Sequence, residues 1–450
     1  MALHISAPSR KAVKKLGASL FACVLAGNAL AGTNTEHLPA SIQSLPDTID
    51  QALSTFHTPG MAVGIIKDGK VVYSAGHGVR NLSANKPVNE HTYFRLASTS
   101  KAFTAAAVAL LVQDGKITWA TPVTDILPEF EMADAWVTRQ FTVIDLLTHR
   151  SGLASGAGDS MLWPEPSGFS TQEIIHNLRY LTPESSFRSE YAYSNVMYIT
   201  AGEVVARVSG MPFDEFVSQR IFTPLNMQCY VSDVPLKALE NVAASYGYND
   251  ERGQYAIPRN SVTETGIVSA AAGGVTCNAD SLMKWVAMWL DDSQSESALS
   301  LFSEKTRQTI FSPHTILGVS DVDEEWNKTL FRAYGLGWRL SDVYGKKLIS
   351  HTGTISGYQA YIAMVPSLDL GVVLLNNGSD YGARGAVMQT ILKAYLPGAE
   401  PGQNWVSTYR NYQKKQEQKY LAKHKTPQGT GKVLHKNAAY TATYEDTWFG

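Results

Sequence analysis

The sequence predicts an α+β fold: one antiparallel sheet flanked by helices, plus a helical lobe. Three observations carry this. Residues 98–113 contain no Gly or Pro and are apolar all round the helical wheel, as in a helix buried on every side. Residues 61–80 alternate strongly about Asp68-Gly69, which predicts a hairpin of two strands. Runs of β-formers return only after residue 346, so the sheet draws on both ends of the chain.

In chain order, a short helix over 45–57 precedes the hairpin. The buried helix follows, about 24 Å long at 1.5 Å per residue, and Asp114-Gly115 stops it. A helical and loop-rich insert comes next. Residues 143–149 read as a short helix, and 155–169 as a Gly/Ser/Pro-rich loop bordering a site. Ser170 and Glu173 form a capping box for a helix over 171–180. Further helices are expected over 195–208, 213–221 and 279–290. Strands over 347–350, 358–365 and 370–375 complete a sheet of about five, and a helix over 386–396 closes the unit. Residues 40–397 therefore read as one folding domain. Residues 398–450 read as a polar, basic tail, a solvated linker or surface helix, and end in a strand-like 440–444 that resembles the start of a truncated β domain.

A formal net charge of −2 over 450 residues argues against a nucleic-acid partner. Arg10, Lys11, Lys14 and Lys15 precede a short apolar run, 16–27, and Ala29-Leu30-Ala31 has small-x-small form. This predicts a cleaved signal peptide over 1–31, a periplasmic or secreted chain, and no stable membrane insertion. Cys23 offers a less favoured lipoprotein reading. Of the remaining cysteines, Cys229 and Cys277 are either free or paired. The oligomeric state is not readable.

The polar residues of the buried helix cluster at its first turn. Ser98 and Lys101 are three apart and share a face, as a nucleophile and its base would. The pattern alone is weak, since Ser281 and Lys284 repeat it on a helix surface. Two more groups give it weight. Tyr193-Ser194-Asn195 stands before a helix, 95 positions after Ser98. His351-Thr352-Gly353-Thr354 stands at a strand end, 158 positions after Tyr193. A second Y-x-N, Tyr409 to Asn411, lies in the basic tail. Neither G-x-S-x-G nor H-E-x-x-H occurs, nor a P-loop or dinucleotide fingerprint.

In order, spacing and context these motifs resemble the serine β-lactamase and penicillin-binding-protein superfamily. The similarity is greatest to the branch of class C β-lactamases, D-aminopeptidases, D-Ala-D-Ala carboxypeptidases and esterases. Stretches such as FRLASTSKAFTA, LLTHRSGL, YAYSNVMY and SHTGTISGY carry it across residues 45–395.

The resemblance implies a β-lactamase/transpeptidase-like fold, no cofactor, no metal, and a small-molecule or peptide substrate. It implies Ser98 as nucleophile, Lys101 and Tyr193 as its bases, and Asn195 on the substrate's amide or carbonyl. His351 and Gly353 would belong to the substrate strand, and the N–H groups of Ser98 and Thr354 would meet the oxyanion. Many relatives carry Lys where this chain has His351. The swap removes a cation that would hold Tyr193 as phenolate and grip a substrate carboxylate. Two expectations follow: activity rising into alkaline pH, and an esterase or D-amino-acid peptidase rather than an efficient β-lactamase. The alternatives are a β-lactamase or D-Ala-D-Ala carboxypeptidase, and a ligand-binding protein with weak turnover.

Overall fold

The computed structural model describes residues 37–231, 239–258, 267–291 and 300–424, all in one unit that begins at Asn34. The expectations for 1–31 and for 440–444 lie outside these residues. Among them, nine strands make one antiparallel sheet. In chain order they are β1 (Gly60–Lys67), β2 (Lys70–Asn81), β3 (Lys86–Pro87), β4 (Thr315–Leu317), β5 (Arg332–Tyr334), β6 (Arg339–Val343), β7 (Lys346–Ile355), β8 (Tyr358–Val365) and β9 (Leu370–Asn376). The spatial order is β3-β2-β1-β9-β8-β7-β6-β5-β4. The two ends of the chain meet where β1 pairs with β9, Met61 opposite Asn376. The hairpin stands where the alternation places it: Asp68 and Gly69 both take positive φ, 52° and 69°, and Lys67 faces Lys70.

The sheet exceeds the five strands expected. Strands β4, β5 and β6 are only three to five residues long, too short for a period-2 signal. Strand β7 runs on to Ile355, so His351 lies inside a strand rather than at its end.

Strands β1 and β9 are apolar on both faces because both faces are covered. Met61, Val63 and Ile65 join Val372 and Leu374 in one core. That core also takes in α1 (Leu45–Thr55). Ala62 and Ile66 join Val373 and Leu375 in a larger core on the other face. That one includes α2 (Lys101–Gln113), α3 (Asn195–Ser209) and α4 (Ala279–Leu290). At Gly64 a Cβ would lie 2.5 Å from Met283 Sδ, so α4 rests directly on β1. Helix α5 (Tyr381–Tyr395) covers the first face, and α6 (Trp405–Lys423) packs on it. The tail is therefore not wholly solvated. Trp405 and Val406 are buried, and the Tyr409 ring lies 4.9 Å from that of Trp326.

Helix α2 is buried at every residue from Lys101 to Leu111. Its first turn, Ala97–Ser100, is a 3-10 turn rather than the α-helix expected from residue 98. Local hydrogen bonds explain the tighter winding. Thr99 Oγ1 donates to the Leu96 carbonyl, the Leu96 N–H donates to the Val275 carbonyl, and the Val275 N–H donates to Ser100 Oγ. Ala97 enters at φ 48°, which aims Ser98 out of the core. Strand Val275–Cys277 is the middle of a three-stranded sheet, between Phe94–Arg95 and Tyr230–Val231. A disulfide joins Cys229 to Cys277.

Candidate active site

Ser98, Tyr193, Asn195 and Thr354 line one cavity of about 860 Å³, and Lys101 reaches Ser98 from beneath it. Each arrives on a different element. Ser98 and Lys101 sit on the turn and first residue of α2. Tyr193 and Asn195 flank Ser194, whose side chain caps α3 by accepting the Met197 N–H. Thr354 comes from the end of β7, and the 155–169 loop supplies Ser155, Gly156, Asp159, Trp163, Pro164 and Glu165 to the wall.

Lys101 is fully buried, and three oxygens surround its Nζ: Asn195 Oδ1 at 2.7 Å, the Ala272 carbonyl at 2.8 Å and Ser98 Oγ at 3.4 Å. Burial holds the amine well below the usual lysine value. The carboxylate of Asp159 opposes that fall and Arg339 adds to it. A neutral amine has two N–H donors and one lone pair. Asn195 Oδ1 and the Ala272 carbonyl can only accept, so they take the two donors. The lone pair is left to face the Ser98 hydroxyl.

Tyr193 OH is buried without a partner in hydrogen-bond geometry. Burial raises its pKa, and the nearby Ser98 hydroxyl and Arg339 pull it back only in part. The phenol is therefore protonated at neutral pH. Its ring lies 4.7 Å from Lys101 Nζ and 5.9 Å from the Arg339 guanidinium carbon. The second cation that His351 was expected to leave missing is thus present as Arg339. Burial, not a missing charge, keeps the phenol protonated.

His351 is buried, and its ring is not on the cavity wall. Nδ1 lies 2.8 Å from the Thr352 carbonyl, which can only accept, so Nδ1 carries the proton. Nε2 accepts from Tyr334 OH at 3.1 Å. Burial first, then the charge of Arg339, holds the imidazole well below its ordinary pKa, so it is neutral. Gly353 is buried behind the wall, where β7 crosses the nucleophile turn. A Cβ there would lie 1.9 Å from the Leu96 carbonyl oxygen. Arg384 of α5 holds this strand end. It donates to the Gly353 and Ala360 carbonyls and, at 3.0 Å, to Thr354 Oγ1.

Sequence reasoning missed four groups. Arg339 on β6 interrupts an apolar run, a signal that was present but short. Asp159 is one of two acids, with Glu165, in a Gly/Ser-rich loop, and both its oxygens accept from Asn195 Nδ2, at 3.1 and 3.0 Å. That Nδ2 is the donor expected to meet a substrate carbonyl. His149 accepts the Ser194 N–H at 3.1 Å, and its ring packs 4.3 Å from that of Tyr193. Arg384 lies far along the chain from everything it holds. The second S-x-x-K proves structural: Ser281 is fully buried, not on the surface, and accepts the Gln228 N–H, while Lys284 pairs with Asp280.

The β-lactamase family model matches residues 45–395. The chain belongs to the β-lactamase family. As a member it is a serine hydrolase. It is 28% identical over 387 residues to the unguisins hydrolase ungD' of Aspergillus campestris, covering 83% of this chain and 69% of that protein. Penicillin-binding protein 4 of Amycolatopsis lactamdurans is 26% identical, over 74% of this chain and 84% of its own. Among solved structures, the octameric penicillin-binding protein homologue from Pyrococcus abyssi superposes with a TM-score of 0.69 at 24% identity. It covers 81% of this chain and 79% of that one, and shares the β-lactamase/transpeptidase-like fold. No helix among the described residues is long and apolar enough to cross a membrane.

Proposed function

We propose that this family member is exported and opens esters or amides through an acyl-enzyme on Ser98, as an esterase or a peptidase for D-residues. The observation that carries the reaction is the set of contacts around Lys101. Its neutral amine takes the Ser98 proton as Oγ bonds to the substrate carbonyl carbon. The amine then becomes an ammonium, which the faces of Tyr193 and Tyr198, 4.7 and 5.3 Å away, stabilise by about 0.5–2 kcal/mol. The oxyanion forms between Ser98 and Thr354. When the C–N or C–O bond breaks, Tyr193 hands its phenolic proton to the leaving group and is reprotonated at the expense of the Lys101 ammonium. Water attacks the acyl-enzyme by the reverse transfers and restores Ser98. The contribution asked of Lys101 as base is about 10²–10⁴-fold in rate.

The charge of the wall favours the substrate class. A β-lactam or a D-Ala-D-Ala peptide presents a carboxylate. Among the described residues no Lys or Arg lines the cavity, whereas Asp159 does. Export is supported by the basic and apolar pattern of residues 10–31 and by the Cys229–Cys277 disulfide, which suits an oxidising compartment.

The test is intact-protein mass after a fluorophosphonate probe, with Ser98→Ala as control. Hydrolysis of p-nitrophenyl acetate, D-alanine p-nitroanilide and a chromogenic cephalosporin is followed in parallel. One adduct that needs Ser98, with ester or anilide turnover exceeding that of the cephalosporin, is expected. Faster loss of the cephalosporin would establish the β-lactamase reading instead. A folded protein that takes no adduct overturns the assignment of Ser98.

A further inference from the structure

We infer that Asp159 forms an ammonium-binding subsite, so that the preferred acyl group is an α-aminoacyl group with a free amine. This rests on the serine-hydrolase reading above and names its substrate class. Two carboxylates line the cavity, Asp159 and Glu165. Glu165 is taken: Arg95 meets it at 2.9 Å with both side chains almost wholly buried, and Ser269 Oγ donates to it. Asp159 is half-buried, and no Lys or Arg pairs with it among the described residues. Lys101, a neutral amine in the resting site, is linked to it only through Asn195. The hydrogen-bond partner of Asp159, Asn195, is an amide, which offers hydrogen bonds and no charge. A carboxylate so placed gains most from a ligand that brings a cation.

Position identifies the cation. Asn195 lies between Lys101 Nζ and Asp159, and Lys101 Nζ lies 3.4 Å from the attacking Ser98 Oγ. An α-ammonium is two bonds from the carbonyl carbon, about 2.5 Å. With its carbonyl on Ser98 and its amine on the Asn195 side, such a substrate directs its ammonium towards Asp159, which lines the same cavity. An N-acyl group or a carboxylate there would meet the Asp159 charge without a counter-ion.

The experiment compares kcat/KM for the p-nitroanilides of D- and L-alanine with their N-acetyl counterparts, in wild type and Asp159→Asn. The ratio of free amine to N-acetyl is the readout, because general damage to the site cancels in it. Calorimetry on Ser98→Ala with D-alaninamide and N-acetyl-D-alaninamide reads binding without turnover. Wild type is expected to favour the free amine by about 10- to 100-fold, the range for one charge-assisted hydrogen bond, and Asp159→Asn to bring the ratio near one. Asp159→Glu is expected to keep part of the preference. Equal or better use of the acetylated compounds overturns the proposal, as does a preference that survives in Asp159→Asn. If no anilide is cleaved, calorimetry decides: binding of the amine that needs Asp159 upholds the subsite, and absence of such binding removes it. Failure of the hydrolase reading shows separately, as anilide turnover that persists in Ser98→Ala.

Discussion

Replacing Gly353 with Ala is expected to disable turnover in a protein that still folds. The added Cβ would stand 1.9 Å from the Leu96 carbonyl oxygen and 3.3 Å from Ala97 Cβ. Cβ contacts do not fall below 3.0 Å, so the strand and the nucleophile turn must part by at least about 1.1 Å. Neither side yields freely. Leu96 is tied by its N–H to the Val275 carbonyl at 2.8 Å, and the Gly353 carbonyl is held by Arg384. Strand β7 is also paired on both edges, with β6 and β8. The separation falls between Ser98 and Thr354, the proposed place of the oxyanion. A misplacement of about 1 Å costs on the order of 10²-fold in rate, and loss of one oxyanion donor about 2.7–4 kcal/mol. Overpacking of this size costs about 1–3 kcal/mol of stability. The assay is kcat for p-nitrophenyl acetate beside the thermal midpoint. Gly318→Ala serves as control, because a Cβ there meets nothing within 4 Å. A Gly353→Ala enzyme that keeps kcat within about threefold of wild type would refute the argument, since the donors would then tolerate the shift.

Lys101→Met should lower kcat by about 10²–10⁴-fold, checked by esterase kinetics and by loss of fluorophosphonate labelling. In wild type kcat/KM should rise with pH as the Lys101 ammonium loses its proton, and do so below the usual lysine range because burial lowers that pKa; a profile that rises only above pH 10 would contradict this. His149 and His351 are both buried, chiefly desolvated, and held well below their ordinary pKa. The unfolded chain thus binds protons that the folded chain does not, and stability falls as pH drops through 6.5. Between pH 7.5 and 5.5 the loss is up to about 1.4 kcal/mol per histidine, read by urea denaturation, and His351→Gln should flatten the slope. Reducing the Cys229–Cys277 bond, which closes 48 residues, should cost about 4 kcal/mol, and identical denaturation midpoints with and without reductant would contradict it.

The class of fold, the buried helix, the β1–β2 hairpin, the capping box at Ser170 and the order of the site motifs are all readable along the chain. These are local signals. A period of two or 3.6, a Gly at a turn or a hydroxyl at a helix start is written within a dozen residues. Ser98 and Lys101 were legible for that reason, being one turn apart on one helix. The surroundings of each group came only with the fold. The lone pair of Lys101 is left for Ser98 because Asn195 and Ala272, 94 and 171 positions away, take its two donors. The phenol of Tyr193 stays protonated because the fold buries it, although Arg339 supplies the cation that His351 does not. Asp159 lines the cavity beside Asn195, whose amide donates to both its oxygens. Protonation states depend on burial and on the charges within a few ångströms, and those neighbours come from segments that the chain's own periodicity cannot relate.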